Sequence, residues 1–356
     1  MKTASLLLAA ALAACSLGLP GAARAVELGP GLEKLGFLYD RASFPSCHAS
    51  TLVETADGAI LAAFFGGSDE GEKDVGIWLC RLEGDKWSAP QQVATGHQPD
   101  GSQLPCWNPV LFQPKEGPLL LFYKVGPKPS AWWGMLKTSE DGGRTWSEGR
   151  RLPDGILGPI KNKPIQLADG TLLCGSSSEH DGWKLHFERT PDLGKTWERT
   201  PPLPGYPRIE AIQPGFLTYA DGQIQALCRS QQGRVVETSS NDGGRTWSDV
   251  TATVLPNPDA GTDSVTLPDG RGLLLYNHTT SARSPLNLAV TRDGRTWEAA
   301  LVLEDEPGEY SYPAIIVARD GKVHLTYTWK RRKIRYGVID PAKLVLRPMP
   351  EGKWPQ

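Results

Sequence analysis

The hydrophobic pattern of this chain is a hairpin written six times. In TLVETADGAILAAFF (Thr51–Phe65) and PAIIVARDGKVHLTYTW (Pro313–Trp329), two apolar runs flank an Asp-Gly pair. The other hairpin turns fall at Glu116-Gly117, Asp169-Gly170, Asp221-Gly222 and Asp269-Gly270. Asp-Gly between apolar runs is a strong local signal for an antiparallel pair, read here as a two-residue turn. Each hairpin is followed by a weaker pair of strand-like runs. The pattern predicts six four-stranded units, and GFLYD (Gly36–Asp40) is the run available to complete the last of them. Helix-period stretches are nearly absent.

A second phrase runs through the weaker pairs: SEDGGRTW (Ser139–Trp146), TPDLGKTW (Thr190–Trp197), SNDGGRTW (Ser240–Trp247), the shortened TRDGRTW (Thr291–Trp297) and a worn RLEGDKW ending at Trp87. The tryptophans step by 59 (146 − 87), 51 (197 − 146), 50 (247 − 197) and 50 (297 − 247) residues. A fixed period of this size marks a repeat architecture. With six hairpins it predicts an all-β, six-bladed β-propeller over residues 26–356, without an internal linker. The Asp of each phrase accepts backbone N–H groups, its Gly permits positive φ and its Trp plugs the turn, so the phrase is a turn device.

The up-and-down path of a blade sorts residues by face. The boxes and the Asp-Gly turns share one face. The starts of first strands and the ends of second strands share the other, and polar residues converge there: His48, Asn108, Lys161, Asn162, Lys163, Glu210, Gln213, Asp263, Tyr310 and Tyr312, then Arg229, Asn277, His278, Trp329 and Lys330. The loop FGGSDEGEKD adds Asp69, Glu70, Glu72 and Asp74, and Arg283 opens the third strand of blade five. Cations, carboxylates and tyrosines around one axis suit binding and acid–base chemistry on an anionic sugar.

Composition narrows the setting. A net charge of −2 gives no basic footprint for nucleic acid. Lys2 followed by an apolar run from Ala4 to Ala14 reads as an export signal. It ends either at Ala23-Arg24-Ala25 or at a lipobox-like Leu12-Ala13-Ala14-Cys15, which would lipidate Cys15 as the one membrane anchor. The expected location is periplasmic or secreted. Five cysteines follow, Cys47, Cys80, Cys106, Cys174 and Cys228, at spacings that match no metal site, and Cys47 and Cys106 are candidates to pair. No cofactor is expected.

The boxes with their intervening hairpins resemble the sialidase superfamily, specifically its bacterial Asp-box (BNR-repeat) members, over about residues 36–345. The resemblance implies three arginines on a sugar carboxylate, a tyrosine nucleophile polarised by a glutamate, and an aspartate acid. It places Tyr312 at the nucleophile, with Tyr310 as the near alternative, and Arg229 and Arg283 at the second and third arginines. The acid falls in the Asp69–Asp74 loop, with Glu70 and Asp74 as candidates. Asn108 and Lys163 are taken as further substrate contacts. Two positions depart: His48 stands where the family has the arginine of its Arg-Ile-Pro motif, and Gln213 stands at the glutamate, with Glu210 three residues away.

Three readings stay open. The first is a sialidase-like glycoside hydrolase that removes a terminal acidic sugar from a glycan. The second is a polysaccharide lyase acting beside a uronate, for which the His and Gln are expected features. The third is a glycan-binding propeller without catalysis.

Overall fold

Six antiparallel sheets are arranged around one axis in the computed structural model, which describes residues 28–356. The export signal and Cys15 lie outside the described residues. Each blade begins at the axis, with first strands at Ser46–Glu54, Cys106–Phe112, Ile165–Gln166, Ala211–Thr218, Asp263–Thr266 and Tyr310–Val317. Blade six is completed from the other end of the chain, because Leu32–Phe37 pairs with Lys333–Ile339 as its outermost strand. The closing strand thus starts four residues before GFLYD. Blade five gains an outer strand that the pattern did not suggest, Arg347–Pro348 against Trp297–Glu304.

The Asp-Gly turns correct the two-residue expectation. Thr55 donates its N–H to the carbonyl of Ala59, and Gly58 donates to that of Thr55. The same pair of bonds recurs at Leu167/Thr171, Tyr219/Gln223, Leu267/Arg271 and Ala318/Lys322. This is a three-residue loop, a type I turn closed by a left-handed glycine (φ 86° at Gly58), and the Asp fills the turn position before that glycine.

Four boxes behave as predicted. In blade two, Asp141 Oδ1 accepts the N–H groups of Arg144 at 3.0 Å and Thr145 at 2.8 Å, and its Oδ2 accepts the Thr145 hydroxyl at 2.6 Å. The worn copy ending at Trp87 is instead a plain hairpin, Leu82 opposite Trp87 and Glu83 opposite Lys86. Boxes and Asp-Gly turns do share a face: Arg81 donates to the Gly142 carbonyl at 2.7 Å and to Asp57 at 2.8 Å, tying the blade-two box to the blade-one turn.

The apolar core lies between neighbouring sheets, as with Leu61, Ala63 and Phe65 against Leu111, Leu121 and Tyr123. Burial of such faces is what makes each blade depend on its neighbours. All five cysteines in the described residues are free and buried, so Cys47 and Cys106 do not pair. Cys106 sits in the core between blades one and two, while Cys47 sits in the core between blades six and one and receives the Tyr39 hydroxyl at 3.1 Å.

Candidate functional site

One position recurs in all six blades, eight residues before the acidic residue of the turn: Ala49 (57 − 49), Asn108 (116 − 108), Lys161 (169 − 161), Gln213 (221 − 213), Gly261 (269 − 261) and Tyr312 (320 − 312). In four blades the first strand slips register at this point, between His48 and Thr51, Trp107 and Val110, Ile212 and Gly215, and Ser311 and Ala314. The residue at the slip is left-handed in each: Ala49 φ 55°, Asn108 φ 35°, Gln213 φ 60° and Tyr312 φ 51°. Three of these four precede proline, which lacks the N–H that a continued ladder needs. Bulges of this kind re-aim side chains.

The ring is tight. A Cβ built on Gly261 would sit 3.3 Å from the Tyr312 ring, 3.4 Å from Gln213 Oε1 and 3.5 Å from the Lys161 side chain. A side chain at this place would crowd the Tyr312 ring and pack directly against the other two.

Tyr312 lies at the centre of the polar contacts. Its hydroxyl oxygen accepts a hydrogen bond from Arg229 Nη1 at 2.9 Å and from Gln213 Nε2 at 3.2 Å. Arg229 also reaches Gln213 Oε1 at 3.4 Å and Asp259 at 3.4 Å, and its guanidinium stacks 4.7 Å from the Trp183 ring. Arg283 and Lys161 lie 5.8 Å from the Tyr312 ring centre. On another side the His48 ring packs 4.1 Å from Tyr312, with Nδ1 2.9 Å from the Thr328 hydroxyl. Burial, then the charges of Arg331, Arg283, Arg229 and Lys161, holds the His48 imidazole well below the usual histidine range and therefore neutral.

Several expected residues sit elsewhere. Tyr310 is 1 % exposed and belongs to the core between blades five and six. Lys163 lies two residues deeper, bound to Asp263 at 3.0 Å and to the Ser264 carbonyl at 2.8 Å. It lines a cavity of about 930 Å³ that opens on the box face, away from Tyr312. Asn108, by contrast, does hold a ring position, where it is buried. Asp74 caps its own loop through Ser68 N–H at 2.9 Å and the Ser68 hydroxyl at 2.8 Å. Glu70 pairs with Arg331, and Glu210 accepts the Trp183 N–H at 3.3 Å.

Two residues were missed. Arg331 is left-handed (φ 58°) in the turn after the second strand of blade six, and it bonds Glu309 at 2.7 Å while Glu309 bonds Arg283 at 2.8 Å. Its charge is the strongest of those acting on His48, so a guanidinium is present beside the place where the family motif has arginine. Glu179 follows the second strand of blade three. Burial raises its carboxyl above the usual range, against the pull of the Arg229 charge and with the push of Glu70. Applying the strand-end rule to blade three would have found Glu179; Arg331 needed the turn geometry.

A six-bladed ring with Asp-box turns on one face and a tyrosine among arginines on the other is a sialidase-like propeller. The sequence matches the BNR repeat-like domain over residues 58–325, and the chain belongs to that family. No curated protein matches it significantly. Similar solved structures include a protein of unknown function from Dyadobacter fermentans (TM-score 0.73, 17 % identity, 88 % of this chain and 99 % of that one). The Hadza microbial sialidase Hz136 is similar at TM-score 0.71 and 20 % identity, over 84 % of this chain and 66 % of that one. The intramolecular trans-sialidase from Ruminococcus gnavus, in complex with oseltamivir carboxylate, follows at 0.70 and 14 %, over 88 % and 98 %. At these identities the likeness carries the fold.

Proposed function

We propose that this protein is an exported, sialidase-like glycoside hydrolase that removes a terminal acidic sugar from a glycan. The observation that carries the reading is the Tyr312 hydroxyl, held by Arg229 and Gln213 with Arg283 beside the same ring. Arg229, Arg283 and Arg331 offer guanidinium groups to a sugar carboxylate, which they hold better than ammonium would. Tyr312 Oη attacks the anomeric carbon as the glycosidic bond breaks. The leaving oxygen takes a proton from a carboxyl group, a role supported at Glu179, whose burial favours the protonated form. Gln213 cannot take up the phenol proton, and burial with the surrounding cations opposes protonation of His48, so that proton leaves to solvent. Water then releases the sugar.

The neutral His48 and the amide at Gln213 favour one second reading, β-elimination beside a uronate. There the arginines neutralise the carboxylate, and His48 or Tyr312 moves the adjacent carbon's proton. The test is incubation of the mature protein with sialosides and uronate-containing glycans, read by mass and ultraviolet absorbance. Hydrolysis adds water across the bond, and elimination leaves an unsaturated, absorbing product. Tyr312→Phe should lower turnover by about 100-fold or more with an unchanged melting curve. Full activity in that variant removes Tyr312 from the chemistry.

A further inference from the structure

Lys161 occupies the ring position of blade three and is 3 % exposed. Its ammonium donates to Asn162 Oδ1 at 2.8 Å, to the Thr262 carbonyl of blade five at 2.9 Å and to the Pro313 carbonyl of blade six. Asn162 in turn donates Nδ2 to the Gln213 carbonyl of blade four at 3.0 Å. One buried cation therefore reaches the carbonyl of the residue after Tyr312 directly and the carbonyl of Gln213 itself through one amide. Both residues are left-handed and non-glycine, a conformation that persists only where the surroundings impose it.

The segment that carries Lys161 is itself pinned. Blade three's first strand is only Ile165–Gln166, and the irregular run before it is held by buried side chains. Glu188 accepts the N–H groups of Leu157 at 3.0 Å and Gly158 at 2.6 Å, while Lys124 donates to the Pro159 carbonyl. This effort fixes an ammonium that the proposed chemistry does not consume.

We propose that Lys161 is a positioning residue: its three hydrogen bonds hold the Tyr312 and Gln213 backbones so that the phenol oxygen and the amide meet. The proposal rests on the reading of Tyr312 as the reacting group, held in place by Gln213. It carries a pH dependence with a defined sign. Burial pushes the Lys161 ammonium down to about 7, with Asp263 opposing and the Lys163 and Arg229 charges adding to the fall; neutral His48 and the Tyr312 ring are its other neighbours. Below that pH three N–H groups serve three acceptors. Above it the neutral amine has two, and one acceptor is abandoned.

The experiment is a pH titration of protein carrying ¹³C-labelled tyrosine rings and lysine ε-carbons, between about pH 5 and 9. The Tyr312 and Lys161 signals are assigned by their loss in Tyr312→Phe and Lys161→Met. The expected result is a Tyr312 shift that follows the Lys161 midpoint near 7 and disappears in Lys161→Met. That variant should also lose about tenfold or more in kcat, together with the alkaline limb of the pH profile. A Tyr312 signal that ignores pH, or one that titrates unchanged in Lys161→Met, overturns the proposal. If Lys161→Met does not fold, the wild-type titration alone decides, with co-titration in favour and its absence against. The titration needs no substrate, so a protein that turns over no glycan defeats the functional reading while leaving this one standing.

Discussion

At Tyr312 the hydrogen bonds run in a direction set by Arg229. The guanidinium faces Gln213 Oε1 at 3.4 Å, which turns the amide nitrogen toward the phenol oxygen at 3.2 Å. Two donors thus converge on one oxygen, and the phenol hydrogen must point away from both. A carboxylate at position 213 would accept that hydrogen instead, so the glutamine changes which way the tyrosine presents its proton. Arg229 does this with one planar fork that serves Tyr312, Gln213 and Asp259 at once. An ammonium has no such fork. Arg229→Lys is therefore expected to lower kcat/KM by about 100-fold, or about 2.7 kcal/mol in transition-state terms. Stability should fall as well, because Arg229 is buried and stacked on Trp183, while its pairing with half-exposed Asp259 adds little. Steady-state kinetics beside thermal melts check this; a lysine variant with native kcat/KM would show that charge alone suffices.

The box and the inner-strand bulge are separate devices on opposite faces of each blade. Trp247 of the blade-four box stacks on Phe187 of blade three, ring centres 3.6 Å apart and 10° from parallel. Trp247→Ala should cost about 2–4 kcal/mol of stability and leave kcat unchanged below the melting temperature. A change in kcat at constant fold would mean that the two faces are coupled. This separation also explains what was readable in the sequence. Boxes and hairpins are local patterns, so the blade count and the facing follow from them, while the closing strand shares only Gly36 and Phe37 with the run expected to form it. The site depends on the bulge, which inserts a residue and reverses the alternation beyond it. Strand parity alone cannot say that Tyr312 lines the axis while Tyr310 enters the core; in blade three Lys161 and Lys163 precede a two-residue first strand, so there is no alternation to read. Arg331 and Glu179 lie just beyond strand ends, where no alternation points to them. The worn box at Trp87 kept its tryptophan but lost the Asp at the turn position, and its turn became an ordinary hairpin.

Around the whole ring, the interior is dry enough to silence its thiols. Burial pushes Cys47, Cys80 and Cys106 up to about 12, and Cys174 and Cys228 are raised as well. The thiolate is the reactive form, so an alkylating or disulfide reagent at neutral pH should modify none of these five in native protein and all five in denaturant. Mass spectrometry after each treatment counts them, and rapid native labelling would reveal a blade that opens. The same seal includes the join that closes blade six. Leu32–Phe37 covers the edge of Lys333–Ile339, and Phe37 packs edge-on against Trp329 at 5.4 Å and beneath Arg335 at 4.2 Å. Removing residues through Phe37 strips those contacts and leaves a seven-residue strand with an unpaired edge. Blade six holds Tyr312 and Arg331, so loosening it reaches the site as well as the fold. The truncated protein is expected to melt earlier and less cooperatively than the intact chain and to self-associate through the bare edge. Calorimetry with light scattering reads both effects. A truncated ring that melts as a sharp monomeric transition at the original temperature would show that packing between blades closes the propeller without this strand.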